Sequence, residues 1–425
     1  MLSTLRNAWK VPELRKRLIW TFVLVAIFRI GNHIPVPGID TTSLDNLTKS
    51  GSLFGFYDLI SGGAFKRFSI FALGVVPYIN ASIIMSLLNI SIPQLEQLSK
   101  EGEEGRKKIQ KITRYASIAF GFITAYGTYV LIHNLGALKT DTPFNTFLIM
   151  LTLVVGSTFC MWLGDQITVK GIGNGISLLI FVNIISRFPQ TLSAVLSTQS
   201  KGETNIVEVF LLAVASLALL ASVVYLSLSE RRITVQYAGK AVGGKVYKGQ
   251  STHIPLSLIG STVIAIIFAM SVMQFPTVIA QFFPTKGWAQ WIQAGTWSPF
   301  NKDKWLYLVI YALLTVFFTW FYTQVTFKPE EMSENMHKSA GFIPGIRPGQ
   351  PTADYLTRLL DRISLIGGIF AAIIAVSPLL VENYTAFKGL SFGGTSLLIL
   401  VSVSLEVMRQ LQSQLVMRHY QGFLK

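Results

Sequence analysis

The chain has 425 residues, 51% of them hydrophobic and only 13% charged, with a mean hydropathy of +0.50 and a formal net charge of +15. Soluble domains carry about 25% charged residues, so this balance excludes an ordinary soluble enzyme and indicates a polytopic membrane protein with its charge gathered into loops. The single cysteine, Cys160, excludes an internal disulfide and a cysteine metal cluster.

Ten spanning segments are predicted, at about 18–37, 68–90, 112–133, 145–168, 172–191, 206–228, 255–277, 305–327, 356–379 and 393–416. The first has basic flanks but no small-residue cleavage site, so it reads as a retained helix. Before the second lies a broken piece, Leu53 to Phe65. As a helix it is about 20 Å long, too short for a hydrocarbon core of about 30 Å. Ser61, Gly62 and Gly63 loosen its end, and Lys66-Arg67 interrupts the run. Such a segment has to be buried in protein or lie over a water-filled cavity.

With both termini inside, cytoplasmic segments hold 25 lysines and arginines and external segments 9, which sets the orientation. The spans divide at 192–205 into five and five, giving an N-terminal half at 1–191 and a C-terminal half at 206–425. An odd number per half inserts the halves from opposite sides, the arithmetic of an inverted repeat. Two cytoplasmic loops, 229–254 and 328–355, exceed what a simple connection needs and read as docking surfaces.

Catalytic signatures are missing. No H-E-x-x-H, G-x-S-x-G or P-loop occurs, and the five histidines form no ligand pair. The glycines of Gly171–Gly175 mark a tight turn between spans four and five rather than a phosphate loop. Asp165 and Glu406 lie toward cytoplasmic span ends, and mid-depth carboxylates of the kind that couple ions are not evident. No cofactor or metal is expected.

Several motifs then converge. The broken segment, GIGNGIS at 171–177, QSTHIPL at 250–256, GFIPGIRPG at 341–349 and FGGTSLLI at 392–399 together resemble the bacterial SecY family, the channel subunits of the Sec protein translocon. IGNHIPVPGID at 30–40 and EGEEGRKKIQKITRY at 101–115 fit as well, and the motifs keep the family's order over essentially the whole chain. The resemblance implies an all-α fold of ten helices in two inverted five-helix halves around a pore, plus a half-helix plug. It puts the plug at Tyr57, Asp58, Leu59, Ile60, Ser61, Gly62, Gly63, Ala64 and Phe65. It puts an apolar pore ring at Val75, Ile79, Ile176, Ile180, Ile267 and Ile399. The implied lateral gate is Pro77, Asn80, Ser82, Ser86 and Asn89 facing Ser271, Gln274 and Phe275, with Pro77 weakening the local ladder.

The docking positions so implied, for the ribosome and the motor ATPase SecA, are Arg231, Arg232, Lys240, Lys245, Lys248 and Arg347. Further implied partners are SecE, SecG, substrate polypeptides with signal sequences, and membrane lipids, in the bacterial cytoplasmic membrane. The function implied is a passive protein-conducting channel with lateral release into lipid. The alternative from the residues alone is an inverted-repeat secondary transporter of a small solute, with a membrane-embedded enzyme behind it. Lys66-Arg67 is more basic than the family resemblance leads one to expect beside a plug.

Overall fold

The computed structural model describes residues 2–39, 61–65, 67–134, 138, 142–200, 205–237, 241–242, 245–246, 251–257, 262–281, 283, 286–295, 297–301, 304–385 and 394–422. The plug positions 57–60, together with Lys240 and Lys248, lie outside them.

Helices dominate. In chain order they are α1 (Leu2–Lys10), α2 (Pro12–Gly31), α3 (Val76–Ser91), α4 (Pro93–Lys100), α5 (Glu103–Asn134), α6 (Pro143–Lys170), α7 (Gly175–Ser200) and α8 (Ile206–Leu228). After a strand region come α9 (Thr262–Gln281), α10 (Gly287–Ala294), α11 (Trp305–Phe327), α12 (Pro329–Lys338), α13 (Gln350–Tyr384) and α14 (Gly394–Gly422). The regions of α6, α7, α8, α9, α11 and α13 are each long and apolar enough to cross a bilayer. Of the other expected spans, α3 is bent by 98° against α4 at Ile92, and α2, α5 and α14 carry charged ends.

Two expected spans, at 206–228 and 305–327, coincide with their helices. Elsewhere the boundaries move, for visible reasons. Span one ends at Gly31, because residues 34–36 pair with 68–70: the Val36 N–H donates to the Phe68 carbonyl and the Ile70 N–H to the Ile34 carbonyl, both at 2.9 Å. Span two starts at Val76 rather than 68. Phe68 and Gly74 have φ of +45° and +53°, which a right-handed helix does not admit, so the apolar run before Val76 folds as buried turns. Span seven starts at Thr262, since Ser251–Ser257 is a strand. In the stretch 192–205 between the expected halves, α7 continues as far as Ser200.

Within the helical fold, the long loops hold short strands. Strand β1 (Glu230–Tyr237) pairs antiparallel with β4 (Ser251–Ser257) on one side and β5 (Gly341–Phe342) on the other, while β2 (Ala241–Val242) and β3 (Lys245–Val246) form a small hairpin. Ile233, Val235 and Leu256 from the first loop, with Leu256 on β4 at its end, pack with Met336 and Ile343 from the second and with Leu356 and Leu360 of α13. The two loops therefore share one core. An ion pair between Glu230 and Arg409, 2.8 Å, ties its base to α14.

Three apolar clusters organise the spans. One, with Phe65, Phe68, Leu73, Ile132 and Leu153, lies within the N-terminal half. Another, with Val223, Ile266, Tyr311, Ile374 and Leu398, lies within the C-terminal half. The third joins Leu24, Phe28, Phe71, Val75, Leu163, Ile180 and Ile184 to Ile399 and Val403, and so bridges the halves.

The turn at 171–175 is built as the glycine spacing predicts. Asn174 Oδ1 accepts from the N–H groups of Ile176 and Ser177 at 3.1 and 3.3 Å, capping α7. Thr168 Oγ1 accepts from Gly175 N–H, and Gln410 Oε1 from Gly173 N–H. These amides are consumed by protein, which is the chemistry of a turn and not of a phosphate loop. A Cβ on Gly175 would come within 1.9 Å of the Gly164 carbonyl oxygen. Gly175→Ala is therefore expected to separate α6 from α7 and destabilise the chain by about 1–3 kcal/mol. A thermal melt of the variant in detergent superimposable on that of the unmodified chain would contradict this packing.

Candidate functional site

The bridging cluster collects five of the six expected ring positions. Val75, Ile180 and Ile399 are buried within it, at 2, 5 and 8% exposure, and Ile79 and Ile176 pack against it half-buried. Val75 is the N-cap of α3, and its carbonyl accepts from Ile79 N–H at 3.0 Å, so the pair lies one turn apart on one face. Ile176 and Ile180 are likewise one turn apart at the start of α7, where the 171–175 turn aims them. Ile267 on α9 is half-buried and belongs to none of the clusters. The ring positions thus converge from α3, α7 and α14, while α9 stands beside them.

The end of the plug segment is anchored close by. Ser61, Ala64 and Phe65 are buried, the Phe65 N–H donates to Ser61 Oγ at 3.1 Å, and Phe65 packs on Phe68. Asn32, the residue that ends α2, donates from Nδ2 to the Ser61 carbonyl at 3.5 Å and to Asn183 Oδ1 at 3.1 Å. Gly62, at φ +67°, lies where a Cβ would come within 2.5 Å of Asn183 Oδ1. Glycine is required here twice over, by conformation and by space.

The gate positions divide into those that cross a seam and those that do not. Ser271 Oγ on α9 donates to Asn80 Oδ1 on α3 at 3.3 Å, linking the two halves across the membrane-spanning region. Ser86 instead donates to the Ser82 carbonyl on its own helix. Asn89 Oδ1 and Gln274 Nε2 are buried without a hydrogen-bond partner among the described residues, and Phe275 is 60% exposed. Pro77 does not loosen α3. It sits in the first turn, where the missing N–H would be unpaired in any case. Pro276 lies inside α9, one residue past Phe275.

In the first long loop, Arg231 and Arg232 are exposed on β1, opposite Leu256 and Pro255 of β4. Lys245 lies on β3. Arg347 is exposed on a tip flanked by Gly345 and Gly349, whose φ values are +84° and +96°. Thr352 Oγ1 donates to the Arg347 carbonyl and Ser333 Oγ to that of Gly349. Ile343 and Ile346 root the tip in the shared loop core.

Asn32 and Asn183 were missed by sequence reasoning. Asn183 interrupts the apolar run IFVNII, a signal that a buried amide needs a partner, but nothing in the sequence says that the partner is 151 residues away. Asp361 was also missed; it accepts from Trp320 Nε1 and Gln324 Nε2 at 2.6 and 2.7 Å, joining α13 to α11.

Comparison with known proteins identifies the family and the fold. The SecY family model matches residues 69–408. A protein translocase subunit SecY from Halalkalibacterium halodurans is 41% identical over 434 residues, covering the whole of both chains. Its counterpart from Bacillus subtilis is also 41% identical with full coverage, and that from Thermotoga maritima is 40% identical, covering this whole chain and 98% of the relative. Among solved structures, one described as a protein conducting channel aligns with a TM-score of 0.65 at 21% identity, covering 94% of this chain and 92% of the other. Sec61 in a canine ribosome-channel complex aligns at 0.61 and 20% identity, covering 94% and 92%.

The buried amide bridge has a measurable consequence. Asn183→Leu leaves the Asn32 amide with its weaker, 3.5 Å acceptor, and an unpaired buried donor costs about 1–3 kcal/mol. Backbone hydrogen exchange over 61–72 is expected to speed up about tenfold or more, with α11 and α13 unaffected. An unchanged exchange profile over that stretch would exclude the anchor.

Proposed function

This chain belongs to the SecY family, and from that premise we infer that it is a polytopic protein-conducting channel of the bacterial cytoplasmic membrane, with both termini on the cytoplasmic side. The observation that carries the reading is the apolar cluster that joins the halves and contains Val75, Ile79, Ile176, Ile180 and Ile399. A narrow apolar constriction dewets and offers an ion no fixed ligand. It also yields around a polypeptide of any sequence, because no side chain in it demands a particular partner. Ile267, on the neighbouring gate helix, completes the ring in this reading.

Sideways release follows from weak lateral closure. A hydrogen bond between membrane helices contributes about 0.6 kcal/mol on average, and Ser271–Asn80 is one such bond. Burying one large aliphatic side chain is worth about 1.5–3 kcal/mol. A signal sequence or apolar nascent helix therefore has ample free energy to part α3 from α9 and enter lipid. Residues 57–65 act as the plug, with Asn32 and Asn183 holding its stem.

The channel itself is passive. The shared cytoplasmic loop body, with Arg231, Arg232, Lys240, Lys245, Lys248 and Arg347, serves the ribosome or SecA, which supplies the driving force. Positive charge there suits rRNA phosphates or an acidic motor surface. SecE clamps the halves, and SecG is an accessory. Family membership removes the support for a small-solute transporter.

Three outcomes test this. A stalled secretory chain should crosslink to cysteines placed at the six ring positions; crosslinks confined to the lipid-facing side of α8 would contradict the conduit. Replacing Ile79, Ile180, Ile267 and Ile399 together with serine should make the resting channel conduct ions in planar bilayers, and a silent variant would remove the ring assignment. Arg347→Glu should slow SecA-driven translocation into vesicles by about tenfold or more, as charge reversal at a docking contact does, while leaving the melting temperature unchanged. Normal rates would refute the docking role.

A further inference from the structure

Four of the chain's eight tryptophans, Trp288, Trp291, Trp297 and Trp305, fall in the stretch from 288 to 305, and all four are 45–71% exposed. The scaffold that exposes them is fixed. Ala289 and Ser298 are fully buried, Ser298 Oγ donates to the Ile292 carbonyl at 2.7 Å and accepts from Phe300 N–H at 3.3 Å, and Phe300 packs on the core of the C-terminal half. Helix α10 itself packs against α9. As an eight-residue helix it is about 12 Å long, too short for a hydrocarbon core of about 30 Å. It lies in the connection between α9, which ends at Gln281, and α11, which starts at Trp305, and the regions of both are long and apolar enough to cross. Connectivity therefore puts α10 where those two spans leave the membrane.

The side chains of α10 are sorted around its axis. At about 100° per residue, Trp288 and Trp291 share one flank and the exposed Gln290 and Gln293 share roughly the opposite flank. Buried Ala289 and half-buried Ile292 lie between them, toward the protein. Phe283, 48% exposed, extends the aromatic flank, its ring 5.7 Å from that of Trp288. Trp305 opens α11, and Val309, Leu313 and Phe317 continue an exposed apolar stripe along that span. A helix laid against the protein with indoles on one flank and neutral amides on the other suits the boundary between hydrocarbon and water, where an indole keeps its ring in the apolar layer and its N–H in the wet one. Charge is sparse: among the described residues of 283–305 the ionisable side chains are Lys286 and Lys304, one at each end, so no charged partner is specified.

We propose that α10 lies in the lipid interface at the bilayer end shared by α9 and α11, with Trp288 and Trp291 at the glycerol and upper acyl level and Gln290 and Gln293 in water. The surface rests on these side chains and on the connectivity. Its consequence, that the end of α9 is held at one depth while the helix moves sideways, rests on the gate reading.

The test uses the full chain in phosphatidylcholine vesicles, with a nitroxide on Trp288→Cys, Gln290→Cys, Trp291→Cys or Gln293→Cys; Cys160 is buried and leaves the label to the introduced thiol. Collision with oxygen, which concentrates in the bilayer, is compared with collision with an aqueous nickel chelate. Oxygen should dominate at 288 and 291 and the chelate at 290 and 293, a reversal between adjacent residues. Dominance of the chelate at all four positions, in variants that remain monodisperse and helical, would overturn the interfacial placement. Spin–spin broadening at 291 that disappears on dilution with unlabelled chain would reassign the aromatic flank to a second copy. Aqueous labels at 288 and 291 that become immobile only when a stalled secretory chain is present would reassign it to a polypeptide; either overturns the lipid surface. An oxygen preference at 288 that is the same in the empty and the occupied channel supports the fixed depth of α9, and a changed one overturns it. The fourfold serine substitution in the ring should leave the oxygen preference intact whether or not it makes the channel conduct, so failure of the channel reading and failure of this surface are told apart.

Discussion

Backbone amides at membrane depth cannot fall back on water, and this constraint shapes the centre of the molecule. Between Ser61 and Val75 the chain is not a continuous helix, so its N–H groups must find acceptors inside the protein. They do so through short turns and through the strip at 34–36. Ala64 donates to Ser61, Phe68 to Phe65, Ser69 to Ala64, Ile70 to Ile34, Ala72 to Ser69 and Gly74 to Phe71. Phe71 stacks between Phe28 and Phe159 and fills the space left at Gly31, where a Cβ would come within 2.0 Å of its ring. A non-helical segment is thereby tolerated beside the pore axis.

The rest of the site hangs on that segment. Its far end delivers Val75 as the cap of α3, which sets the phase of Ile79. Its near end is the stem held by Asn32 and Asn183, from α2 and α7. The same two helices supply Leu24, Phe28, Ile180 and Ile184 to the bridging cluster. Residues 61–65 and the positions proposed as the ring thus share supporting helices. By contrast, the contact between halves is mostly apolar, and the hydrogen bonds that cross it, from Ser271 to Asn80 and from Gly173 N–H to Gln410, are between neutral groups. Nothing there resembles a buried ion pair, which would resist opening far more strongly once a single partner was displaced.

The two long loops follow different physics. Water is available, so strands with exposed edges are allowed, and the two long loops pair and bury Ile233, Val235, Leu256 and Ile343 in a core of their own. That core is what makes Arg347 a rooted tip rather than a point on a flexible linker. Short-range ion pairs such as Lys100–Glu96 and Lys338–Glu334 lie on exposed helix surfaces and contribute little by themselves.

Membrane class, the approximate spans, the charge asymmetry and the family itself were determined by the sequence, because apolar run length, lysine and arginine placement and motif order are local properties of the chain. The turn at 171–175 was legible for the same reason: glycine spacing and the capping Asn174 act within a few residues. Apolarity could not distinguish a helix from buried turns at 68–75, nor β-formers in a loop from a paired strand at 251–257, since burial is the same for both. Tertiary structure alone decided the pairing of 34–36 with 68–70, the Asn32–Asn183 bridge and the fusion of two loops into one core. Each joins residues far apart in the chain, and a hydrogen bond or an apolar contact exists only once the fold has brought its two ends together.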